Sequence, residues 1–418
     1  MTSAPEAGRE ARVAGTSSAY LFAEDLLDEG VSSVLDRLAE AGLNGVTMAA
    51  TYHHARDVFP HNPKHKVGYR EGGVAYFTTA RASYGRIQPV RSTLTHACDP
   101  LEVLKQAADE RGLRASAWLV FLHNSRLAHA FPDCAPRTAF GDPLLNALCP
   151  AHPDARAYAV ALAQDVARYG LEAIKLEAVH YPGFDHGDHH ERSFVPLSPN
   201  IRFLLGLCCC VHCMAAAQAA GVDAERVRAV CREQLERLFE STANETHETE
   251  VEDDWLRSLA DGELGRYAQL RQQVVTSLVT EIATAVHQVA PTTRVVYLDP
   301  SGATLGYARG MPSSERLAVS IGWRDGIDLG ALSPAVDELG MIGYFRETAR
   351  FVRELAAYRM LSHRLEVILR PMHPDTRSAE ELADRVHAAR EAGVQDLSFY
   401  HYGFMRLQNL DWIRQALA

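Results

Sequence analysis

Hydrophobic positions along this chain switch repeatedly between two periods. Stretches with apolar residues three and four apart predict amphipathic helices, and short runs rich in valine, leucine and isoleucine predict strands. Val31, Val34, Leu35, Leu38 and Ala41 share one face of a helix predicted over 31–41; Gly42 follows as a cap, and a strand over 45–50 exits into Thr51, Tyr52, His53 and His54. The same order returns twice more. A helix over 100–111, Gly112 and a strand over 114–122 exit at His123 and Asn124, and a helix over 153–169, Gly170 and the strand that follows exit at His180. Later strands are predicted at 294–298, 339–343, 365–369 and 396–399, with exits at Asp299, Tyr344, Arg370 and Tyr400-His401-Tyr402.

Helix, glycine, strand and polar exit in alternation is the pattern of βα units around a parallel sheet. Seven strands are read this way, and an eighth is expected within 72–87 or 317–321. A count near eight predicts an α/β fold, a (β/α)8 TIM barrel. No G-x-G-x-x-G follows the first strand, so the dinucleotide fold lacks its usual fingerprint. The predicted division is a disordered leader over 1–17, a first half-barrel over 18–180, a helical insertion between strands 4 and 5 over 181–292, and a second half-barrel over 293–418.

With 47% hydrophobic and 23% charged residues among 418, the composition is that of a globular enzyme rather than a disordered or fibrous chain. A net charge of -11 argues against nucleic acid or an anionic membrane as partner and leaves a small molecule or oligosaccharide as the expected substrate. The first residues lack an apolar signal region, and no run approaches a membrane span. Eight cysteines fit a reducing, cytoplasmic setting with a metal cluster better than a disulfide framework.

Candidate chemistry begins at residues 170–180, where Lys175 and Glu177 stand two apart on one face of a strand. Placing both charges inside a closed sheet costs several kcal/mol unless they are paired, which marks the pair as a site or as a structural ion pair at the rim. Odd positions of the run Val295 to Asp299 share a face; turned inward, they set Asp299 on the strand beside Glu177. Two such carboxylates, one protonated and one ionised, are the minimum machinery for glycosidic cleavage. Glu177 and Asp299 are thus the expected catalytic pair, with Lys175 tuning the charge of Glu177; Asp299 also begins a good turn sequence that would use its carboxylate as a cap. Asp325 is the rival second acid, with Trp323 as a plate for sugar stacking.

Around the same mouth the exits should gather Tyr52, His53, His123, His180, Arg370, Tyr400 and His401. The segment 184–191 supplies Asp185, His186, Asp188, His189 and His190, which suit either a metal or substrate hydroxyls; His189 and His190 are expected over the substrate. A metal-dependent hydrolase or lyase built on His53, His180 and this loop, or a barrel that binds sugar or protein without turnover, are the competing functions. No organic cofactor is expected.

Cys208, Cys210 and Cys213 form C-x-C-x-x-C, with His212 inside it and Cys231 eighteen residues on. Thiolates at this spacing can wrap a structural zinc, with Cys231 or His212 as fourth ligand, or the cysteines pack as small hydrophobes in a helix. The spacing resembles the zinc motif of the tRNA-guanine transglycosylases, also barrel enzymes, without a fourth-ligand histidine at that family's distance or a basic surface for tRNA.

The segment Tyr169 to Pro182 is similar to the fourth-strand pattern of barrel glycoside hydrolases, notably the uncharacterised glycosyl-hydrolase-like families. In that pattern the last acid is the catalytic or substrate-gripping carboxylate, and it falls on Glu177. Ala173 stands where those families often have glycine, and Glu177 where aspartate is commoner. The resemblance spans about residues 150–300 and implies a glycosidase acting on a carbohydrate or glycosylated small molecule.

Overall fold

A computed structural model describes residues 15–184, 192–241, 253–303 and 316–418. Eight parallel strands close on themselves: β1 (Ser17–Leu21), β2 (Gly45–Tyr52), β3 (Arg114–Val120), β4 (Ala173–Glu177), β5 (Arg294–Asp299), β6 (Glu338–Ile342), β7 (Leu365–Leu369) and β8 (Asp396–Phe399). Strand β1 pairs with both β2 and β8, which removes every free edge. The chain is the expected TIM barrel. Helices such as Val31–Glu40, Pro100–Asp109 and Pro153–Ala167 turn their apolar faces to its outside. Gly42 and Gly112 end two of them at φ of 82° and 66°, a conformation that a side chain would oppose.

The eighth strand is β1, not a segment of 72–87 or 317–321. The first of those contributes only Val74–Ala75, antiparallel to the end of β2, and the second forms a short 3-10 turn at Ala318–Ser320. Residues 15–17, assigned to a leader, are part of the barrel floor: the Thr16 amide donates to Asp396 at 2.8 Å, and Ser17 opens β1. The remainder of that leader, 1–14, lies outside the described residues.

Register fixes which residues look inward. In a parallel ladder, paired residues share a face, and Lys175 pairs with Val296 while Leu176 pairs with Tyr297. Lys175 and Glu177 therefore face the barrel interior, whereas Val295, Tyr297 and Asp299 face the surrounding helices. The interior is polar. At the floor Arg294 meets Glu338 at 2.8 Å and Asp396 at 3.1 Å. One layer up, Lys175 Nζ lies 2.5 Å from Glu366 and 3.3 Å from the Ser398 hydroxyl, which in turn is 2.7 Å from Ser18.

Between β4 and β5 the described chain forms the helices Pro199–Gly206, Val211–Ala219, Ala224–Glu240, Asp253–Ser258 and Glu263–Val289. The last of these packs along Pro153–Ala167 on the barrel's outer layer. Among the described residues no single helix is long and apolar enough to cross a membrane.

Lys175 and Glu366 are nearly inaccessible, so deleting one leaves the other charged and unpaired. Lys175→Ala is expected to lower unfolding free energy by about 3–5 kcal/mol, and the double change Lys175→Met with Glu366→Leu to recover most of it, as read by denaturant titration. Equal losses for the single and double variants would contradict this view of the pair.

Candidate active site

The C-terminal ends of the strands form the mouth where barrel enzymes do their chemistry. Glu177 closes β4 there, half-buried and pointing inward, and the Trp118 indole N–H from β3 donates to its carboxylate. Aromatic rings complete the cup. Trp118 meets Tyr20 edge-on at 5.3 Å, Tyr52 at 4.8 Å and Tyr400 at 5.8 Å, and Tyr344 lies 5.6 Å from Tyr400. Loss of water around the carboxyl pushes Glu177 up to about 7, opposed only in part by the indole hydrogen bond. Ala178, the next residue, is held at φ 56°, a conformation a non-glycine residue adopts at a cost on the order of 1–3 kcal/mol. Strained backbone directly after an inward carboxyl is a mark of functional sites.

Lys175 does not tune this carboxyl by pairing with it. Its ammonium is committed to Glu366 and sits 4.6 Å from the Tyr20 ring centre, below the cup. Strand spacing brought Lys175 and Glu177 to one face, but the partner of Lys175 comes from β7, across the barrel.

Asp299 is not at the mouth. It faces outward, fully buried, accepting from Tyr358 on helix Thr348–Leu361 and from the Ser301 amide and hydroxyl at 3.2 and 2.8 Å. Burial raises its pKa, and these bonds oppose the rise. The odd-position face of Val295 to Asp299 looks away from the interior, so this acid caps a turn and ties β5 to a helix. Trp323 is likewise not an open plate: it is buried against Phe203 at 5.3 Å and under the Arg257 guanidinium, with its indole N–H on Asp253 at 3.3 Å. Asp325 is half-buried beside the β4 exit, where its backbone carbonyl accepts from the Tyr181 amide at 2.9 Å.

The remaining exits do converge. Tyr52 and Tyr400 bring their hydroxyls to 3.4 Å; His53 stacks on Tyr52 at 4.1 Å and on His123 at 4.8 Å. Arg370 closes β7 with its guanidinium 4.1 Å from the Tyr344 ring. His401 is fully buried between Phe22 and Phe404, and burial holds its imidazole well below the ordinary range. His180 is half-buried three residues beyond Glu177. His189 and His190 fall outside the described residues. Neither His53 nor His180 belongs, among the described residues, to a group of three converging metal-ligating side chains.

Tyr344, read from sequence as a strand exit, joins the cup; Trp118 and Tyr20 are not among the sequence candidates, although period-two reading of β1 and β3 places both inward. Arg70 was also missed. It reaches the cup from a hairpin, Ala55–Val58 with Val67–Arg70, and lies over Phe22 with its charge shared by Glu24 at 2.7 Å and Asp57 at 3.0 Å.

A second cluster stands apart. The sulfurs of Cys149, Cys208, Cys210 and Cys213 all lie within 4.8 Å of one another, with Cys149 at 3.8, 3.6 and 3.5 Å from the other three. A tetrahedron with metal–sulfur bonds of about 2.3 Å has edges of about 3.8 Å, so the group has the dimensions of a zinc site. Cys149, from the loop after β3, takes the fourth position. Cys231 is buried in helix Ala224–Glu240 outside the group, and the His212 ring packs on His152 at 4.3 Å. No spacing rule points to Cys149, which stands fifty-nine residues before Cys208.

No protein-family model matches the chain, and no curated protein does. Solved structures do. The alpha-L-fucosidase isoenzyme 2 of Paenibacillus thiaminolyticus aligns at TM-score 0.53 and 14% identity over 96% of this chain and 48% of its own. The beta-galactosidase of Halorubrum lacusprofundi aligns at 0.55 and 13%, over 96% and 57%, and the endo-1,4-beta-mannanase of Rhizomucor miehei at 0.51 and 9%, over 99% and 96%. The chain spans about half the length of the fucosidase and somewhat more of the galactosidase. At identities this low the alignments establish a shared fold alone, the TIM barrel.

The raised Glu177 makes stability depend on pH. In the unfolded chain this carboxyl ionises near its ordinary value, in the folded protein only near 7, so the folded state binds the extra proton between them and stability falls as pH rises through that window. Glu177→Gln removes the dependence and should stabilise the protein at pH 8 by as much as about 3 kcal/mol, with little gain at pH 4. Denaturant titrations at the two pH values measure it, and an equal effect at both contradicts the desolvation.

Proposed function

We propose that the mouth hydrolyses a glycosidic bond, with Glu177 as the group that protonates the departing oxygen. The observation that carries this reading is the Glu177 carboxyl, raised to about 7 by burial, facing inward from the end of β4 into a cup of Trp118, Tyr20, Tyr52, Tyr344 and Tyr400. A proton donor must hold its proton at working pH and release it into the transition state, and a pKa near neutrality balances the two. Flat aromatic faces suit the apolar sides of a sugar, and the tyrosine hydroxyls suit its rim. Shared fold with fucosidase, galactosidase and mannanase structures supports the class without naming the sugar.

With Asp299 turned outward, Asp325 takes the role of second carboxylate in this reading, as the base or nucleophile. Its support is position: the Tyr181 amide, four residues past Glu177, is bound to its carbonyl, and its Oδ1 lies 3.6 Å from where a side chain on Gly183 would begin. His53, His123, His180 and Tyr400 then surround the substrate, which is a carbohydrate or glycosylated small molecule, with His401 packed beneath them between Phe22 and Phe404.

Aryl glycosides of graded leaving-group acidity test the assignment. Glu177→Gln should cost at least about a hundredfold in kcat/KM on substrates whose leaving group needs a proton, and much less where the leaving phenol is acidic. For the wild type, kcat/KM should fall as pH rises through about 7, and the variant should lack that limb. Wild-type turnover of the poor leaving group by folded Glu177→Gln protein would sink the role.

The four-thiol group is assigned one structural zinc held by Cys149, Cys208, Cys210 and Cys213. Bound there, the metal would fasten the loop after β3 to the helices that follow β4. Elemental analysis should find about one zinc per chain, lost in Cys149→Ser together with a lowered melting temperature, and kept in Cys231→Ser. Zinc retained by Cys149→Ser and lost from Cys231→Ser would restore the ligand set read from sequence.

A further inference from the structure

A two-stranded hairpin stands at one side of the mouth. It leaves the end of β2, runs through Ala55–Val58, turns over residues 59–66 and returns through Val67–Arg70. At its base the Gly73 amide donates to the Tyr52 carbonyl at 2.8 Å. Val58, Val67 and Tyr69 on the outer face are exposed, whereas Arg70 on the inner face is buried, its guanidinium 3.2 Å from the Phe22 ring centre. The hairpin is thus held from its inner side, at the base and at the tip.

One histidine fastens the tip. The His61 side chain is 8% exposed; its Nδ1 lies 2.8 Å from Oε1 of Glu29, the last residue of helix Ala23–Glu29, and its Nε2 donates at 2.9 Å to the carbonyl of Tyr402 in the loop after β8. A carboxylate and a carbonyl only accept. A neutral imidazole in either tautomer therefore sets a lone pair against an oxygen, and only the imidazolium suits both contacts. The two anchors have other partners. Arg37 at 2.6 Å and the Tyr402 hydroxyl at 2.9 Å reach Oε2 of Glu29, and the Tyr402 amide donates to the Tyr20 carbonyl at 2.8 Å. Both stay in place when His61 loses its proton, so the tip is the part that comes free.

The remaining charges at the tip do not replace this latch. Lys64 pairs with Asp28 at 2.8 Å and His65 lies 3.6 Å from the same carboxylate, but these side chains are 60% and 38% exposed, where an ion pair contributes little. Lys66 donates to the Pro60 and Asn62 carbonyls, and Asn62 donates to Asp28 at 2.9 Å, contacts without an imidazole in them. Beneath the tip, burial keeps His401 neutral, and Arg70 is shared by Glu24 and Asp57. Burial alone would lower the His61 pKa; Glu29 and the Tyr402 carbonyl outweigh it and, with Asp25 behind them, hold it above the ordinary value. The latch is complete below about 6.5 and is lost as pH rises through the raised value.

We propose that the hairpin is a strap on the β1 and β8 side of the mouth, latched by the His61 imidazolium on Glu29 and the Tyr402 carbonyl and released at its tip when that proton leaves. Phe59, where the turn begins, lies 6.0 Å from Phe404, which lies 6.0 Å from Tyr400. A freed tip uncovers the wall behind the Tyr400 ring. The strap does not depend on which bond the mouth cleaves, or on its cleaving one.

Hydrogen exchange read by mass spectrometry follows the tip in the full chain without substrate. Corrected for the intrinsic effect of pH, peptides covering 59–66 should open on the order of tenfold more often at pH 8 than at pH 5 in the wild type, the lower end of what a charged hydrogen bond is worth. His61→Gln and Glu29→Gln should each remove that difference, and His65→Gln should keep it. The His61 ring resonances should titrate above 6.5 in the wild type. Equal protection at both pH values in the wild type, a difference that survives in either folded variant, or a His61 titration below 6.5 overturns the strap. Failure to hydrolyse any aryl glycoside removes the hydrolase reading and leaves these results standing; hydrolysis without the exchange difference removes the strap alone.

Discussion

The ion pair between Lys175 and Glu366 in the middle of the barrel is the contact on which the mouth depends. It joins β4 to β7, and the Ser398 hydroxyl extends it to β8 and, through Ser18, to β1. A one-residue slip of β4 would carry Lys175 to the outer face and leave Glu366 charged and alone, so the pair specifies register more than it adds stability. The same register aims Glu177, two residues on. Because the lysine charge is already neutralised below, no cation stands beneath Glu177 to favour its ionised form, and loss of water prevails.

Above that layer the described groups packed around Glu177 are aromatic rings and an indole donor. Trp118, Tyr20, Tyr52, Tyr344 and Tyr400 displace much of the water around the half-buried Glu177, whose carboxylate accepts from the Trp118 indole N–H. The raised pKa and the shape of the cup thus have one cause. The positive φ of Ala178 turns the chain off the strand immediately afterwards, and the amides of Phe121 and Leu122 hold the carbonyls of Glu177 and Ala178 at 3.0 and 3.1 Å. Neighbouring backbone thereby fixes a conformation the residue would otherwise avoid.

Much of this architecture is legible in the chain. Repeated helix, glycine, strand and exit gave the closed sheet, because each unit is local and its signals lie within a few residues. The inward pair Lys175 and Glu177 follows from period two in a strand whose other face is apolar. Asp299 was misplaced because β5, Arg-Val-Val-Tyr-Leu-Asp, is buried on both faces and its periodicity does not say which parity looks in. Strand β1, Ser-Ser-Ala-Tyr-Leu, is short and opens with two serines, so it carries little strand signal, and the predicted leader ends on its first residue, Ser17. Trp323 looks like an exposed plate beside an Asp-Gly turn, but Asp253 and Arg257, some seventy residues upstream, cover it.

Long-range partners are what a single sequence hides, and both features outside the cup depend on them. Cys149 meets the C-x-C-x-x-C segment only because the loop after β3 and the helices after β4 rise from adjacent strands. Tyr181, which donates its amide to Asp325 and lies 3.4 Å through its hydroxyl from Cys213, connects that thiol group to the segment leaving Glu177. The Arg271 guanidinium covers the same tyrosine ring at 4.3 Å and donates to the Arg324 carbonyl at 2.9 Å. One residue just beyond the acid thus touches the sulfur cluster, the long helix Glu263–Val289 and the loop bearing Asp325. These contacts anchor the β4 exit to three separate elements, so the position of the segment after Glu177 is set by partners distant in sequence as well as by its own strand.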